Sequence, residues 1–73
     1  MQKIIECVPN FSEGRDLKKV EAIRQSIANI EGIKVLRCES DYDHNRTVIN
    51  FIGDPDAVST SALFAAKKAE ELI

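Results

Sequence analysis

The chain has 73 residues, of which 44% are hydrophobic and 30% charged, and its formal net charge at pH 7 is −2. A chain of this length forms at most one domain. Such a domain buries only about 60% of the surface that its unfolded chain exposes. The small negative charge excludes the basic field that nucleic-acid binding needs. No stretch reaches the roughly 20 apolar residues of a membrane span, and Glu6 comes too early for a secretory signal. We therefore expect a cytoplasmic domain with neither nucleic-acid nor membrane partners.

The first predicted element is a strand over residues 3–8 with apolar side chains on both faces, which indicates an interior strand or one covered on both sides. Pro9 has no N–H for a sheet ladder and is predicted to stop the strand. Asn10, Ser12 and Glu13 then follow in a loop before a helix. Such a loop offers free backbone N–H groups and a positive dipole end, which suit a carboxylate or phosphate. The alternative is a plain connection in which Ser12 caps the helix and Glu13 is solvated.

An amphipathic helix is predicted over residues 16–29. Its apolar residues recur at steps of three and four and form one stripe, namely Leu17, Val20, Ile23, Ile27 and Ile30. Asp16 favours the positive N-terminal end of the helix. Gly32 marks the exit, because a left-handed conformation costs glycine no Cβ strain.

Two further strands are predicted over residues 33–39 and 46–52. The polar link between them suits an antiparallel hairpin with a loop longer than a tight turn. The later strand alternates, with Thr47, Ile49 and Phe51 on one face and Val48, Asn50 and Ile52 on the other. After it, Asp54 is a preferred helix N-cap and Pro55 a preferred first helical residue. The predicted core stripe of this second helix is Val58, Ala62, Ala65, Ala69 and Leu72, with Ser61, Ala66 and Ile73 alongside.

The order β-α-β-β-α predicts an α+β fold of the ferredoxin-like class, a split βαβ that lacks its last strand. We expect an antiparallel sheet with two helices on one face and a right-handed crossover. The first two strands are then parallel, and the third lies between them. The loop with Asn10 and the hairpin with Arg46 therefore open toward the same side, and we expect Ile73 to arrive there too. Because the last strand is missing, we also expect a homo-oligomer, or a partner chain that supplies the strand at the open edge.

Residue types that commonly carry metal or redox chemistry are few. Cys7 and Cys38 fit neither a disulfide framework nor a zinc motif, and we expect both to be buried, reduced thiols. In this topology they lie two strand spacings apart, about 9–10 Å, beyond the roughly 7 Å that a disulfide allows. His44 is predicted to be a solvated loop histidine, and we predict no metal site with Asp41 and Asp43.

Nine consecutive residues carry a resemblance to a known family, namely Glu6-Cys7-Val8-Pro9-Asn10-Phe11-Ser12-Glu13-Gly14. They resemble the opening of the formiminotransferase family, glutamate formimidoyltransferase. A second match to the family is the run Asn45-Arg46-Thr47-Val48. Phe51, Gly53 and Pro55 follow at the expected spacing, and an alanine-rich helix comes next. The resemblance covers essentially the whole chain, and the opening is its most specific part.

The resemblance implies a folate enzyme of histidine degradation and one-carbon metabolism. It implies transfer of the formimino group from N-formimino-L-glutamate to N5 of tetrahydrofolate. In the family, this region is the first part of an N-terminal subdomain, and folate binds in the cleft between it and a second subdomain of related fold. The family's catalytic histidine lies in a segment beyond the position of Ile73, so no catalytic residue is assigned here. We expect the 73 residues to be inactive alone, because the general acid/base is missing.

Five residues are predicted to bind substrate, namely Asn10, Ser12, Glu13, Asn45 and Arg46. Arg46 suits the carboxylates of glutamate and folate, because its guanidinium is planar and always charged. Its alternative role is a strand-end ion pair with Asp41 or Asp43. The alternative for Asn45 is tolerance of a left-handed loop conformation.

Two other functions are compatible with these residues. The chain is alternatively a non-catalytic interaction or regulatory domain of ferredoxin-like fold. A third possibility is a folate-pathway relative that uses the same site for another one-carbon transfer. Folate titration distinguishes the interaction domain from the two folate proteins.

Overall fold

The computed structural model describes residues 3–73, and its elements follow the predicted order with one additional strand. The elements are β1 (Ile5–Cys7), β2 (Asn10–Phe11), α1 (Leu17–Ala28), β3 (Lys34–Asp41), β4 (Arg46–Gly53) and α2 (Pro55–Leu72). The four strands form one open sheet in which each pairing is antiparallel. The predicted α+β class, an antiparallel sheet with two helices in a split βαβ arrangement, is confirmed.

β1 and β2 are two parts of one interrupted strand. The Cα partners on β4 keep the same register from β1 to β2, which sets Pro9 opposite Ile49. The N–H of Ile49 donates to the carbonyl of Pro9 at 3.2 Å, but Pro9 has no N–H to donate in return. Pro9 therefore interrupts the strand, as predicted, because it donates no hydrogen bond to β4. It does not end the pairing with β4, because its carbonyl still accepts one and β2 follows directly. Asn10 belongs to the sheet and not to the loop in which it was predicted.

β4 is the central strand, with β1 and β2 on one side and β3 on the other. Because both flanking strands run antiparallel to β4, they are parallel to each other, as predicted. The β3–β4 hairpin pairs Asp41 with Arg46 next to its loop. Between Val35 and Arg37 the register shifts, which is a β-bulge that the sequence analysis did not predict.

The core lies between one face of β4 and the two helices. Thr47, Ile49 and Phe51 alternate with more exposed neighbours along β4, and each is at most 1% exposed. The core cluster consists of Ile23, Ile27, Ile49, Phe51, Val58 and Ala65. The predicted helix stripes are correct at these positions. Leu17 is an exception, since this first residue of α1 is 66% exposed and lies outside the cluster.

Asp54 is the N-cap of α2, as predicted, and Asp16, which was predicted to favour the positive end of α1, is the N-cap of α1. The carboxylate of Asp16 accepts hydrogen bonds from two backbone N–H groups of the first turn of α1, at 3.1 and 3.3 Å. Asp54 accepts from the N–H of Ala57 at 2.9 Å. The alternative in which Ser12 caps α1 is therefore wrong. Gly32 has a φ of +88°, as predicted for the exit of α1. Over residues 3–73, neither helix combines the length and the apolar character needed to span a bilayer.

The outer strands are more exposed than the sequence suggested. β1 is mostly exposed, with Ile5 at 37%, so the predicted cover on both faces is wrong within residues 3–73. The predicted oligomer is not tested by this structure and stays a prediction. Cys7 and Cys38 are free thiols, as expected. The predicted burial is wrong for Cys38, which is exposed because β3 pairs only with β4 in the described part of the chain.

Candidate functional site

Asn10 and Arg46 lie at the same end of the sheet, as predicted. Asn10 pairs with Val48, which is two residues after Arg46 on β4. Directly paired residues and residues two apart on a strand share a face, so these three residues lie on the face opposite the core. We call this the outer face, and on β4 it comprises Arg46, Val48, Asn50 and Ile52. Asn10, Ser12 and Arg46 are all exposed, and we call them the polar rim.

A cavity of about 270 Å³ adjoins Arg46, and its other lining residues are Glu39, Ser40, Asp41 and Val48. Arg46 forms no ion pair with any residue of the range 3–73. The alternative of an ion pair with Asp41 or Asp43 is therefore wrong. Asp41 instead contacts the ring of His44, with 2.6 Å between Oδ2 and Nδ1. The guanidinium of Arg46 is left available to an anion.

The contact between His44 and Asp41 closes the hairpin loop. The backbone N–H of His44 also donates to Oδ1 of Asp41 at 3.3 Å. The pKa of Asp41 lies below its ordinary value of 3.8. The largest cause is the hydrogen bond with the side chain of His44, and the next is the hydrogen bond from its backbone N–H. His44 is exposed, as predicted for a loop histidine.

We expect Asp41→Asn to make folding less sensitive to acid. A carboxylate whose pKa is lower in the folded state stabilises that state fully above its ordinary pKa, here 3.8. That stabilisation is lost as the pH falls through the lower, folded-state pKa. Urea denaturation below about pH 4 should therefore show a steeper loss of stability in the wild type than in the variant. Asp43→Asn is the control. It removes a neighbouring carboxylate but keeps the backbone carbonyl of residue 43, which is the group that Arg15 contacts. An equally steep loss in Asp41→Asn and the wild type would contradict this prediction.

Glu13 and Asn45 are engaged by backbone groups of the chain itself. Oε2 of Glu13 accepts from the N–H groups of Arg15 and Asp16 at 3.2 and 3.1 Å, and its side chain is only 13% exposed. The alternative of a solvated Glu13 is therefore wrong. Asn45 has a φ of +50°, so its left-handed conformation is confirmed. Its Oδ1 also accepts from the N–H of Gly14 at 2.9 Å.

Gly14 is buried where the loop meets the hairpin. A Cβ at this position would lie 2.5 Å from the carbonyl oxygen of Arg46 and 2.6 Å from that of Asp41. The sequence analysis did not foresee this close backbone approach, for which only glycine has room.

Asn50 is a candidate that the sequence analysis missed. It lies on the outer face, and its Oδ1 is buried without a hydrogen-bond partner among residues 3–73. A buried acceptor without a donor costs about 1–3 kcal/mol. The signal in the sequence is a lone amide between Ile49 and Phe51, within an otherwise apolar segment.

A cavity of about 430 Å³ lies beside the later part of α2. Glu71 lines it together with Ser26, Asn29 and Ile30, which lie at or just beyond the C-terminal end of α1. The predicted arrival of Ile73 at the rim stays a prediction.

Comparison with known proteins identifies the family. The family described as "Formiminotransferase domain, N-terminal subdomain" matches residues 4–73. The chain belongs to the formiminotransferase family. The resemblance found in the sequence is thereby confirmed.

Named relatives of the formiminotransferase family match nearly the whole chain. Glutamate formimidoyltransferase of Thermoplasma acidophilum is 46% identical over 70 residues, which are 96% of this chain and 23% of that protein. Formimidoyltransferase-cyclodeaminase of Gallus gallus is 45% identical over 73 residues, which are 100% of this chain and 14% of that protein. Glutamate formimidoyltransferase of Streptococcus pyogenes is 37% identical over 73 residues, and the chain spans 24% of its length.

The two motifs that resemble the formiminotransferase family meet in space. Residues 6–14 include β2 and the start of the loop, and residues 45–48 include the start of β4. The hydrogen bond from Gly14 to Asn45 joins them directly. The family's two short motifs thus build one continuous polar end of this sheet.

Proposed function

We propose that residues 3–73 form one wall of the substrate site of a folate-dependent formimidoyltransferase. The reaction is the transfer of the formimino group from N-formimino-L-glutamate to tetrahydrofolate, in histidine degradation. The family and the names of the relatives support the transferase class. Arg46 is the observation that carries the proposal, because its exposed guanidinium has no ion-pair partner within residues 3–73. The chain spans 14–24% of these relatives, so the activity is proposed for an enzyme that contains this wall.

We assign different roles to the five predicted site residues. Arg46 binds a carboxylate of glutamate or folate, with two parallel hydrogen bonds from its planar guanidinium. Asn10 and Ser12, exposed on the same rim, add hydrogen bonds to the ligand. Glu13 and Asn45 support these contacts indirectly, because backbone N–H groups already use their side-chain oxygens.

The outer face fits a folate in the chemistry of its side chains. Val48 and Ile52 supply half-buried apolar surface for a flat ring, and exposed Arg46 adds a charged group on the same face. A few placed polar groups on an apolar wall are typical of small-molecule sites. Tetrahydrofolate supplies the nitrogen that accepts the formimino group. The residues of this chain bind and orient the ligand, and we assign no proton transfer to them.

Titration of the 73-residue chain with tetrahydrofolate, followed by NMR shifts, tests the proposal. We expect Arg46→Gln to weaken binding at least about tenfold, because a hydrogen bond to a charged group contributes about 1.5–3 kcal/mol. The matched control is Arg37→Gln. Arg37 pairs with Asn50 across the same face, is exposed, and already contacts Glu39 at 3.4 Å. Its replacement should change the affinity less than about twofold.

The control separates a specific contact from general attraction between charges. Equal losses in the two variants would show that Arg46 acts only through its charge. If tetrahydrofolate caused no shifts at the outer face, this wall would not be a folate surface. The interaction-domain alternative would then be favoured.

A further inference from the structure

The long-range side-chain hydrogen bonds of this chain are concentrated in one place. Four of them join positions 27 to 34 apart, and all four link residues 13–15 to residues 42–47. The other side-chain hydrogen bonds within residues 3–73 span at most 7 positions. We call the residues of these four bonds the interlock, namely Glu13, Gly14, Arg15, Tyr42, Asp43, Asn45 and Thr47.

Arg15 makes two of the four hydrogen bonds. Its Nε donates to the carbonyl of Tyr42 at 2.8 Å, and its Nη2 donates to the carbonyl of Asp43 at 3.4 Å. Its guanidinium carbon also lies 5.2 Å from the centre of the Tyr42 ring, within the range of a cation–π contact. One planar side chain thus holds two carbonyls and one ring of the hairpin.

The remaining bonds of the interlock lie directly beside Arg15. Gly14 donates to Asn45, and the hydroxyl of Thr47 donates to the carbonyl of Glu13. Asn45 is the only non-glycine residue of positive φ in the described range, at +50°, a conformation that asparagine adopts more readily than most residues. Neighbouring hydrogen bonds of this kind reinforce one another.

We propose that Arg15 is a positioning residue, which fixes the hairpin against the loop and so presets Arg46 relative to Asn10. Arg46 directly follows Asn45, so a change in the hairpin would carry the guanidinium away from the rim. A preset site loses less conformational freedom on binding, which favours affinity. The role in ligand binding rests on the proposed function, whereas the interlock is a property of this chain by itself.

Amide hydrogen exchange in the chain, measured residue by residue by NMR, tests the proposal. In Arg15→Ala we expect exchange at Gly14 to rise at least about tenfold, because a loosened hairpin releases its acceptor on Asn45. Exchange at Ile49, whose N–H donates to Pro9 within the sheet, should change less than about twofold. Arg15→Lys should behave like Arg15→Ala, because an ammonium group cannot span both carbonyls and stack on the ring.

The control variant is Arg24→Ala, which removes an arginine that, within residues 3–73, pairs only with Glu21 on its own helix. It should leave exchange at Gly14 unchanged. Unchanged exchange at Gly14 in Arg15→Ala would overturn the proposal. An equal rise at Gly14 and Ile49 would overturn it too, because Arg15 would then support the whole fold and not the hairpin.

Titration of the same variants with tetrahydrofolate separates the interlock from the proposed function. We expect Arg15→Ala to bind about three- to tenfold more weakly than the wild type. Unchanged affinity in a variant with a loosened hairpin would overturn the positioning role. If the wild type itself does not bind, the proposed function fails, and the exchange result still decides whether the interlock exists.

Discussion

Gly14→Ala is expected to destabilise the folded chain by about 3 kcal/mol, the upper end of the usual range for overpacking of a closed site. The added methyl group would lie 2.5–2.6 Å from three backbone atoms, two of Arg46 and one of Asp41. Backbone atoms cannot rotate away as a flexible side chain can, so the loop or the hairpin must move. A loss of this size is a large part of the stability of a small domain. Urea denaturation measures it.

Gly32→Ala is the matched control for this substitution. Gly32 has a φ of +88°, and the nearest atoms to an added Cβ are a side-chain oxygen of Asp54 at 3.4 Å and Cβ of Ala57 at 3.7 Å. The cost there is backbone strain alone, about 1–2 kcal/mol for a left-handed alanine. Equal losses at the two glycines would show that the loop and hairpin are not in close contact in solution.

Phe51→Ala is expected to cost about 3–5 kcal/mol, the usual range for removing a buried aromatic ring. Phe51 is 0% exposed and belongs to the core cluster between β4 and the helices. Removal of the ring takes away buried apolar contacts and leaves a cavity that the neighbouring side chains fill only in part. Thermal or urea denaturation measures the loss, and the variant should be largely unfolded at temperatures where the wild type is folded.

Ile52→Ala is the control on the next residue of the same strand. Ile52 lies on the outer face, where it is only partly buried, so its truncation should cost about 1 kcal/mol. The difference between the two variants measures how much of the buried surface lies on the helix side of β4. A loss at Ile52 as large as at Phe51 would show that the outer face is covered in solution. It would contradict the open surface on which the role of Arg46 depends.

The two faces of β4 differ in burial and in the polar groups that they carry. On the core face, three successive inward residues are almost completely buried and hold the helices. On the outer face, the same strand carries an unpaired guanidinium at Arg46 and an unpaired amide oxygen at Asn50. Neither group contributes a hydrogen bond to the fold of residues 3–73, but only the guanidinium of Arg46 is exposed and open to a ligand, because Oδ1 of Asn50 is buried.

Local chemistry made much of this fold predictable from the sequence. Asp16 and Asp54 cap their helices through hydrogen bonds to backbone groups two or three positions away, and such contacts can be read from neighbouring letters. The alternation along β4 is equally local. Even the placement of Asn10 and Arg46 at one end follows from strand direction alone, once the order of elements is known.

Tertiary structure decided which polar groups at that end remain available. Asn45, Glu13 and Arg46 were all predicted from the sequence to bind substrate. In the structure, however, side-chain oxygens of Asn45 and Glu13 accept hydrogen bonds from backbone N–H groups of the loop. The role of Arg15 was not predicted from the sequence, because its hydrogen-bond partners lie 27 and 28 positions away. The sequence by itself thus determined the elements, their order and the end of the sheet where polar residues gather. Only the packed chain determined which of those residues hold one another, because contacts between distant positions depend on how closely two backbones approach.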